Sequence, residues 1–220
     1  MAGHRGRRSE QARTVTRRTA TATVRPRPAS TPRRDAVLGL AAELFAEKGF
    51  RATTVRDIAD AAGVLSGSLY HHFDSKEAIV DELLGSFLDD LLARYRAIAE
   101  ADDPPRRALE RLVEESFDSL PRHRAAIVVF QQEGDHLATF DRFRYLATAA
   151  NEVERIWIDV IERGVAAGEL ATDNAKLTYH FLRDAIWMSV RWFRLDGAWT
   201  TRDLSGHFLR TTLSGLAPRV

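Results

Sequence analysis

The sequence predicts an all-α protein with a small N-terminal unit of three helices and a larger helical C-terminal domain. Beyond residue 31, apolar residues recur at steps of three or four, which is the spacing of one face of an α-helix. No segment shows the alternating pattern of a strand, and glycine or proline ends most of the periodic segments. The 220 residues, of which 45% are hydrophobic, suffice to bury a core.

Residues 1–31 differ from the rest of the chain in charge and composition. They hold eight arginines and one acidic residue, so this segment carries +7 and leaves −6 for the remainder of a chain whose net charge is +1. The segment lacks apolar periodicity, and we expect a disordered basic tail. The tail either adds phosphate or minor-groove contacts or is a solvated extension without a role.

Local signals place the first two helices. Proline suits the first turn of a helix and glycine its end, which predicts a helix over Pro32–Lys48 that stops at Gly49. Thr54 then occupies an N-cap position, and Asp57 completes a capping box three residues later. Gly63 is placed to end this second helix.

The third helix, expected over Leu65–His72, is short. It carries small or polar residues, which we expect on the surface of the protein rather than in its core. Small residues allow close approach to base edges in a major groove, and hydroxyl groups reach bases or phosphates. The two helices and their turn therefore read as a helix-turn-helix. We predict base-edge or phosphate contacts from Ser66, Ser68 and Tyr70, and phosphate contacts from Thr54, His71 and Lys76.

This stretch resembles the N-terminal domain of TetR-type transcriptional regulators. The residues that carry the resemblance are Gly49-Phe50, Thr53-Thr54-Val55, Ile58-Ala59, Ala62-Gly63-Val64, Gly67, Leu69-Tyr70, His72-Phe73 and Ser75-Lys76-Glu77. The resemblance implies a DNA-binding domain over 32–76 and a ligand-binding and dimerisation domain over 77–220. It also implies a homodimer on palindromic double-stranded operator DNA that an effector releases.

Two further stretches, LSGSLYHHF and FLRDAIWMSVRWFR, are similar to one subgroup of that family, the actinobacterial repressors of genes for cholesterol-ring breakdown. In that subgroup the effector is a CoA thioester. The resemblance therefore implies a bulky, steroid-ring-derived CoA thioester as effector. It leaves the choice between repression and activation open.

The remaining helices follow from apolar spacing and from breaks at proline, glycine and capping residues. We expect a long helix from Ser75 to Ala101 that links the DNA-binding end to the rest of the chain. The others are expected from Pro105 to an interruption at Pro121, over Ala125–Gln132 with an end at Gly134, over Phe140–Ala167, from a cap at Asp173 to Leu195, and over Thr200–Leu216.

The last two helices carry the predicted effector and dimer sites. The first of them is apolar nearly all round, which indicates burial on more than one side. A four-helix dimer interface would use Trp192, Leu204 and Phe208. Within the same apolar stretch, Arg183 and Trp187 lie one turn apart, which suits an apolar molecule with a polar or anionic end.

The same residues could instead have a purely structural role. Arg183 with Asp184 forms either an effector anchor or a structural ion pair beside a core tryptophan. Trp157 and Phe130 are weaker effector candidates, because aromatic residues at helical spacing usually belong to the core. Two alternatives to the ligand-released repressor stay open: a DNA-binding regulator with a different hydrophobic effector or none, and a helical enzyme.

Composition and motifs argue against enzymes. The absence of cysteine excludes disulfides and thiol chemistry, and HExxH, GxSxG and P-loop motifs are missing. His71 and His72 are adjacent, so they point about 100° apart on a helix and do not pair on a metal. We predict no catalytic residues, no metal and no cofactor. With no run of about 18 apolar residues, we also expect a soluble cytoplasmic protein without a membrane partner.

Overall fold

The computed structural model describes residues 31–214, and within that range the regular elements are all helical. The predicted all-α fold is confirmed. The helices of this range are α1 (Pro32–Lys48), α2 (Val55–Ala61), α3 (Ser66–Leu69), α4 (Lys76–Glu100), α5 (Pro105–Leu137), α6 (Tyr145–Ala166), α7 (Ala175–Met188) and α8 (Thr201–Ser214). The predicted basic tail covers residues 1–31, of which residues 1–30 lie outside the described residues and Thr31 is the N-cap of α1.

The start and stop signals of the first two helices are used as predicted. Thr31 caps α1 by accepting the N–H of Arg34 at 3.3 Å, and Gly49 ends the helix with a φ of 85°. Thr54 and Asp57 form both halves of the capping box of α2. These contacts satisfy backbone N–H groups that would otherwise lack a partner in the first turn.

A Schellman motif centred on Gly63 forms the turn between α2 and α3. Gly63 has a φ of 63°, its N–H donates to the carbonyl of Asp60, and the N–H of Val64 donates to the carbonyl of Ala59 at 3.0 Å. The left-handed backbone at this position favours glycine. The turn fixes the direction in which the chain leaves α2.

The predicted third helix, Leu65–His72, is wrong in length, because α3 covers only Ser66–Leu69 and a turn follows. Leu65 at the N-cap has no side-chain acceptor for the first turn. The two serines and the glycine within the helix are weak helix formers. The N–H of His72 then donates to the carbonyl of Leu69 at 2.9 Å, which tightens the chain into the turn.

The long helix α4 joins the predicted DNA-binding end to the rest of the molecule. Ser75 caps it by accepting the N–H of Ala78, and its 25 residues extend for about 37 Å. Near its start, Glu82 pairs with Arg34 of α1, whose guanidinium lies 4.3 Å from the centroid of the Phe73 ring. Since Arg34 is buried, its charge requires such a partner.

The hydrophobic core is continuous across the predicted domain boundary at residue 76. A single cluster of buried side chains extends from Val37 in α1 to Leu204 in α8. Lys76 is the first residue of α4, and this helix packs against α1 as well as against α5 and α6. The predicted boundary therefore coincides with the start of α4, a helix that packs against both the N-terminal and the C-terminal helices.

The fifth helix shows the interruption expected at Pro121 as a kink, but it lacks the end expected at Gly134. Pro121 produces a kink, at His123 (φ −129°, ψ 20°), and α5 continues beyond it. It also passes Gly134, which does not adopt a left-handed backbone, and ends at Leu137. Leu137 is fully buried, so burial of this side chain explains why the helix extends one further turn.

Helices α6 to α8 lie close to their predicted positions but differ at several ends. A 3₁₀ turn over Asp141–Phe143 precedes α6, and a Schellman motif at Gly168 ends it. Asn174, and not Asp173, caps α7 by accepting the N–H of Leu177 at 2.9 Å.

The predicted extension of α7 to Leu195 is wrong. The helix ends at Met188, and a 3₁₀ turn over Ser189–Arg191 follows, in which the hydroxyl of Ser189 donates to the carbonyl of Ile186. Residues 215 and 216 of the predicted last helix lie outside the described range. Within residues 31–214, none of the helices combines the length and apolarity of a membrane span.

Candidate DNA-binding and effector sites

The surface around α3 is open, as a DNA-binding element requires. Tyr70 is 53% exposed, His71 is exposed, and a Cβ added at Gly67 would meet no atom within 4 Å. Ser66 and Ser68 are half-buried. The structure therefore brings the four predicted contact residues of this segment to one short stretch with free space around it.

The hydroxyl of Thr54, a predicted phosphate contact, already makes two hydrogen bonds within the capping box. It accepts the N–H of Asp57 at 3.1 Å and donates to the Asp57 carboxylate at 2.6 Å. The hydroxyl of Thr54 and its backbone N–H, which lies 2.7 Å from the same carboxylate, both donate to Asp57 and hold the pKa of its carboxyl below its usual value. Thr54 is exposed, and its role toward a phosphate stays a prediction.

Lys76 has a structural role that its position in the sequence did not reveal. Its ammonium donates to the carbonyls of Phe50 at 2.7 Å and Thr53 at 2.9 Å, and it lies 3.5 Å from the carbonyl of Arg51. The same ammonium lies 4.3 Å from the centroid of the Phe50 ring. An ammonium has three N–H donors. All three face the α1–α2 loop, which explains a lysine at the start of α4 without a phosphate.

Two of the four predicted effector residues lie on other helices, Trp157 on α6 and Phe130 on α5. Trp157 is 2% exposed, and its ring centroid lies 6.0 Å from that of Tyr95 and 6.1 Å from that of Tyr179. Phe130 is half-buried against the core. Trp157 therefore belongs to a packed aromatic cluster in this structure.

Arg183 and Trp187 lie on α7, as predicted, and are half-buried. Arg183 bonds Asp184 at 2.8 Å, and its guanidinium lies 5.3 Å from the centroid of the Tyr179 ring. Desolvation works to lower the pKa of Arg183, but hydrogen bonds with Asp184 and Tyr179 outweigh it, and the pKa is raised. The Trp187 ring packs edge-on against Phe87 of α4, with centroids 5.7 Å apart.

A cavity lies elsewhere, between the end of α7 and α8. It has a volume of about 880 Å³ and is lined by the predicted dimer residues Trp192, Leu204 and Phe208, with Ser189 and Trp199 among the others. A second cavity of about 380 Å³ lies near Gly168 and the start of α5. Neither cavity is lined by any of the four predicted effector residues.

Large apolar side chains are exposed along the segment that leads from α7 to α8. We call this surface the α7–α8 face. The exposed fractions are 70% for Phe181, 44% for Met188, 59% for Trp192, 63% for Leu195 and 64% for Trp199. Exposed large apolar side chains concentrated along one segment of the chain indicate an interaction surface.

Sequence reasoning missed a pair of polar contacts made by the second half of α5. The side-chain amide of Gln131 donates to the backbone carbonyl of Trp187 at 2.9 Å. Two residues on, the carboxylate of Glu133 lies 3.5 Å from the guanidinium of Arg51, in the α1–α2 loop. The Glu133 side chain is only 13% exposed. This part of α5, residues 124–137, thus contacts both α7 and the α1–α2 loop.

The described residues offer no metal site. Across the part of the chain that the structure describes, no three histidine or acidic side chains are grouped so as to hold an ion.

Comparison with known proteins decides the family. Residues 37–83 match the family model described as "Bacterial regulatory proteins, tetR family", and residues 102–216 match "Tetracyclin repressor-like, C-terminal domain". This chain belongs to the TetR family. It is a DNA-binding transcriptional regulator of the helix-turn-helix type, and members of its family act as dimers that bind operator DNA and small molecules.

Similar TetR-family proteins cover almost the whole chain. The "HTH-type transcriptional repressor KstR2" of Rhodococcus jostii (strain RHA1) is 47% identical over 186 residues, which are 84% of this chain and 91% of that protein. Its namesake in Mycobacterium tuberculosis is 46% identical over 84% of this chain and 92% of that protein. These relatives are regulators, which confirms the prediction that the chain is not an enzyme.

Solved structures of TetR-family regulators have the same fold as this chain. "Structure of ketosteroid transcriptional regulator KstR2 of Mycobacterium tuberculosis" superposes with a TM-score of 0.82 at 44% identity and covers 87% of this chain and 98% of that one. The crystal structure of the TetR-family transcriptional regulator PfmR from Thermus thermophilus gives a TM-score of 0.75 at 29% identity, covering 83% of this chain and 99% of that one.

The carbonyl bonds of Lys76 generate a prediction. We expect Lys76→Met to lower the free energy of unfolding by about 2–3 kcal/mol, because it removes the donor of two carbonyls and each partly exposed hydrogen bond contributes about 1–1.5 kcal/mol. Lys48→Met, which removes an exposed ammonium 3.8 Å from Asp57, should cost about 0.5 kcal/mol or less. Urea unfolding followed by circular dichroism measures both.

The same variant tests the phosphate role of Lys76. A lost phosphate contact reduces the dependence of log affinity on log salt by about one. We expect the slope of Lys76→Met to equal that of the wild type. A shallower slope with unchanged stability would instead assign this lysine to the DNA backbone.

Proposed function

We propose that this chain is a ligand-released transcriptional repressor. As a dimer it binds a near-palindromic operator, and a bulky apolar effector, a steroid-ring-derived CoA thioester, releases it. The observation that carries the proposal is the identity of 47% to a repressor over 84% of the chain, which includes the effector helix α7. The printed description "ketosteroid transcriptional regulator" of a similar structure supports the class of effector.

Operator binding is assigned to α3 and the residues around it. In a helix-turn-helix dimer, the two recognition helices enter successive major grooves about 34–36 Å apart. Ser66, Ser68 and Tyr70 contact base edges or phosphates, and Thr54 and His71 contact phosphates. Lys76 acts indirectly, because it holds the loop from which α2 begins.

The α7–α8 face is the proposed dimer interface. Its aromatic and aliphatic side chains are exposed in the isolated chain, and aromatic residues are enriched in the centres of protein interfaces. Two such helices from each subunit make a four-helix interface. The cavity lined by Trp192, Leu204 and Phe208 then lies next to the partner subunit.

The effector site is assigned to the other side of α7, at Arg183 and Trp187. The present partner of Arg183 is Asp184, which is exposed, so a ligand carboxylate, phosphate or thioester carbonyl displaces it at small cost. The apolar part of the ligand then packs on Trp187. Movement of Trp187 disturbs its contact with Phe87, which belongs to α4.

The second half of α5 supplies a second connection from the effector helix to the DNA-binding end. A shift at the end of α7 acts on Gln131 through the carbonyl of Trp187, and Glu133 on the same helix holds Arg51. The kink at His123 separates this part of α5 from the first half. We infer that α4 and the second half of α5 together change the spacing of the recognition helices when the effector binds.

The first experiment tests release and the anchor together. Operator binding is followed by fluorescence anisotropy at fixed salt, using the DNA upstream of the gene, with and without a steroid-ring CoA thioester. For a coupled site we expect the thioester to weaken binding by about 5- to 150-fold. Arg183→Met should bind the operator like the wild type and should not be released.

The control for the anchor is Arg155→Met, which removes an exposed arginine of α6. This variant should be released like the wild type. If no CoA thioester weakens a tight, specific wild-type complex, the proposed effector is wrong and a regulator with a different effector or none remains. If Arg183→Met cannot bind DNA, the ion pair with Asp184 is structural.

The connection through α5 predicts variants that bind both ligands but couple them poorly. Glu133→Gln and Arg51→Met should each keep effector affinity and reduce the coupling free energy by about 0.5–2 kcal/mol. The double variant should lose no more than either single one, because both changes break one contact. Glu114→Gln is the control, since its ion pair with Arg107 stays within α5. Additive losses would contradict a shared connection.

The dimer interface predicts a change in mass. Trp192→Asp places a charge in the proposed interface, and we expect sedimentation equilibrium to give a monomer with much weaker operator binding. Val165→Asp changes a 39% exposed side chain of α6 that lies outside the α7–α8 face, and it should remain a dimer. A dimeric Trp192→Asp variant would place the interface on another surface.

A further inference from the structure

Leu65 is the most exposed of the large apolar residues in the described chain. Its exposed fraction is 82%, which exceeds the 70% of Phe181 on the α7–α8 face. Its neighbours behave differently, because Val64 packs against the core and Leu69 is 1% exposed. Leu65 therefore directs its side chain away from the protein, at the start of the helix that faces DNA.

The position that Leu65 occupies normally favours another kind of residue. It is the N-cap of α3, with extended backbone (φ −71°, ψ 142°), and its carbonyl accepts the N–H of Ser68 at 2.8 Å. N-cap positions prefer serine, threonine, aspartate or asparagine, whose side chains accept a backbone N–H of the first turn. The leucine makes no such bond. This position therefore lacks a side-chain cap and exposes an isobutyl group to water, and no contact given by residues 31–214 compensates for either loss.

The surroundings of Leu65 indicate which contact compensates for the missing cap and the exposed isobutyl group. The first residues of a recognition helix reach the base edges of the major groove. The space beside α3 is open at Gly67, and the exposed Tyr70 follows on the same segment. In the major groove, the apolar group that the bases present is the C5 methyl of thymine. A leucine at the leading end of α3 meets this group without a hydrogen-bonding requirement.

We propose that Leu65 is a specificity-determining residue that recognises one thymine in each half of the operator by packing on its C5 methyl group. The inference rests on the proposed function, because it requires α3 to enter the major groove. It adds a direct base contact of an apolar kind to the polar contacts assigned to Ser66, Ser68 and Tyr70. It also explains a leucine at an N-cap by the DNA complex instead of by the free protein.

The test removes the methyl group from the DNA and the isobutyl group from the protein, separately and together. Each thymine of the footprinted operator is replaced in turn by deoxyuridine, which differs from thymine only by that methyl group. Loss of one buried methyl group weakens binding about four-fold, and loss in both half-sites about fifteen-fold. We expect this loss for the wild type at one thymine per half-site.

Leu65→Ala should bind the thymine operator more weakly than the wild type does and should not respond to deoxyuridine at that position. Leu65→Ser gives the matched control, because serine restores an N-cap acceptor while it removes the apolar group. It should be as insensitive as the alanine variant, which separates loss of the methyl contact from fraying of α3. Leu65→Met keeps an apolar side chain and should retain the preference for thymine.

The outcomes separate the two proposals. If wild-type protein binds no upstream DNA specifically, the proposed function fails and the role of Leu65 fails with it. If wild-type protein binds tightly but every deoxyuridine substitution affects wild type and Leu65→Ala equally, operator binding stands and the contact between Leu65 and thymine is refuted. A loss confined to one thymine per half-site, absent in both the alanine and serine variants, establishes it.

Discussion

The hydrogen bonds that Lys76 donates to the carbonyls of Phe50 and Thr53 decide how the DNA-binding helices sit on the rest of the molecule. The loop that they hold leads directly into the capping box of α2, and α2 leads through the left-handed Gly63 into α3. A unit of about 45 residues buries too little surface to hold its own shape well. Its geometry therefore depends on α4, through Lys76 at one point and the buried Arg34 at another.

Sequence signals that act within a few residues predicted the fold well. Capping residues and left-handed glycines are read locally, and they placed α1, the start of α2 and the end of α6 correctly. Two of the errors arose where distant packing decides the outcome. The buried Leu137 draws α5 past Gly134, and the partners of Lys76 lie more than twenty residues away in the chain. Spacing along a helix carries no information about such contacts.

The candidate sites show the same difference between what local spacing predicts and what contacts between distant residues decide. Helical spacing placed Arg183 and Trp187 one turn apart on α7, but the same spacing cannot tell a surface tryptophan from Trp157, which is 2% exposed. The polar contacts of Gln131 and Glu133 escaped notice because a glutamine and a glutamate on a helix are ordinary surface residues. Only their positions opposite α7 and the α1–α2 loop give them a role.

The core that runs without a break from α1 to α8 has a consequence for building chimeric sensors from this protein. A graft cut at the predicted boundary, after residue 76, would separate α1 from Glu82 and leave Arg34 buried without its partner. A junction that preserves recognition must carry α4 with the DNA-binding end. The protein that receives this part must also offer a carboxylate at the position of Glu133, in the second half of α5, so that Arg51 keeps its ion pair. The N-terminal and C-terminal parts of the chain can therefore be exchanged between proteins only together with the contacts made by α4 and α5.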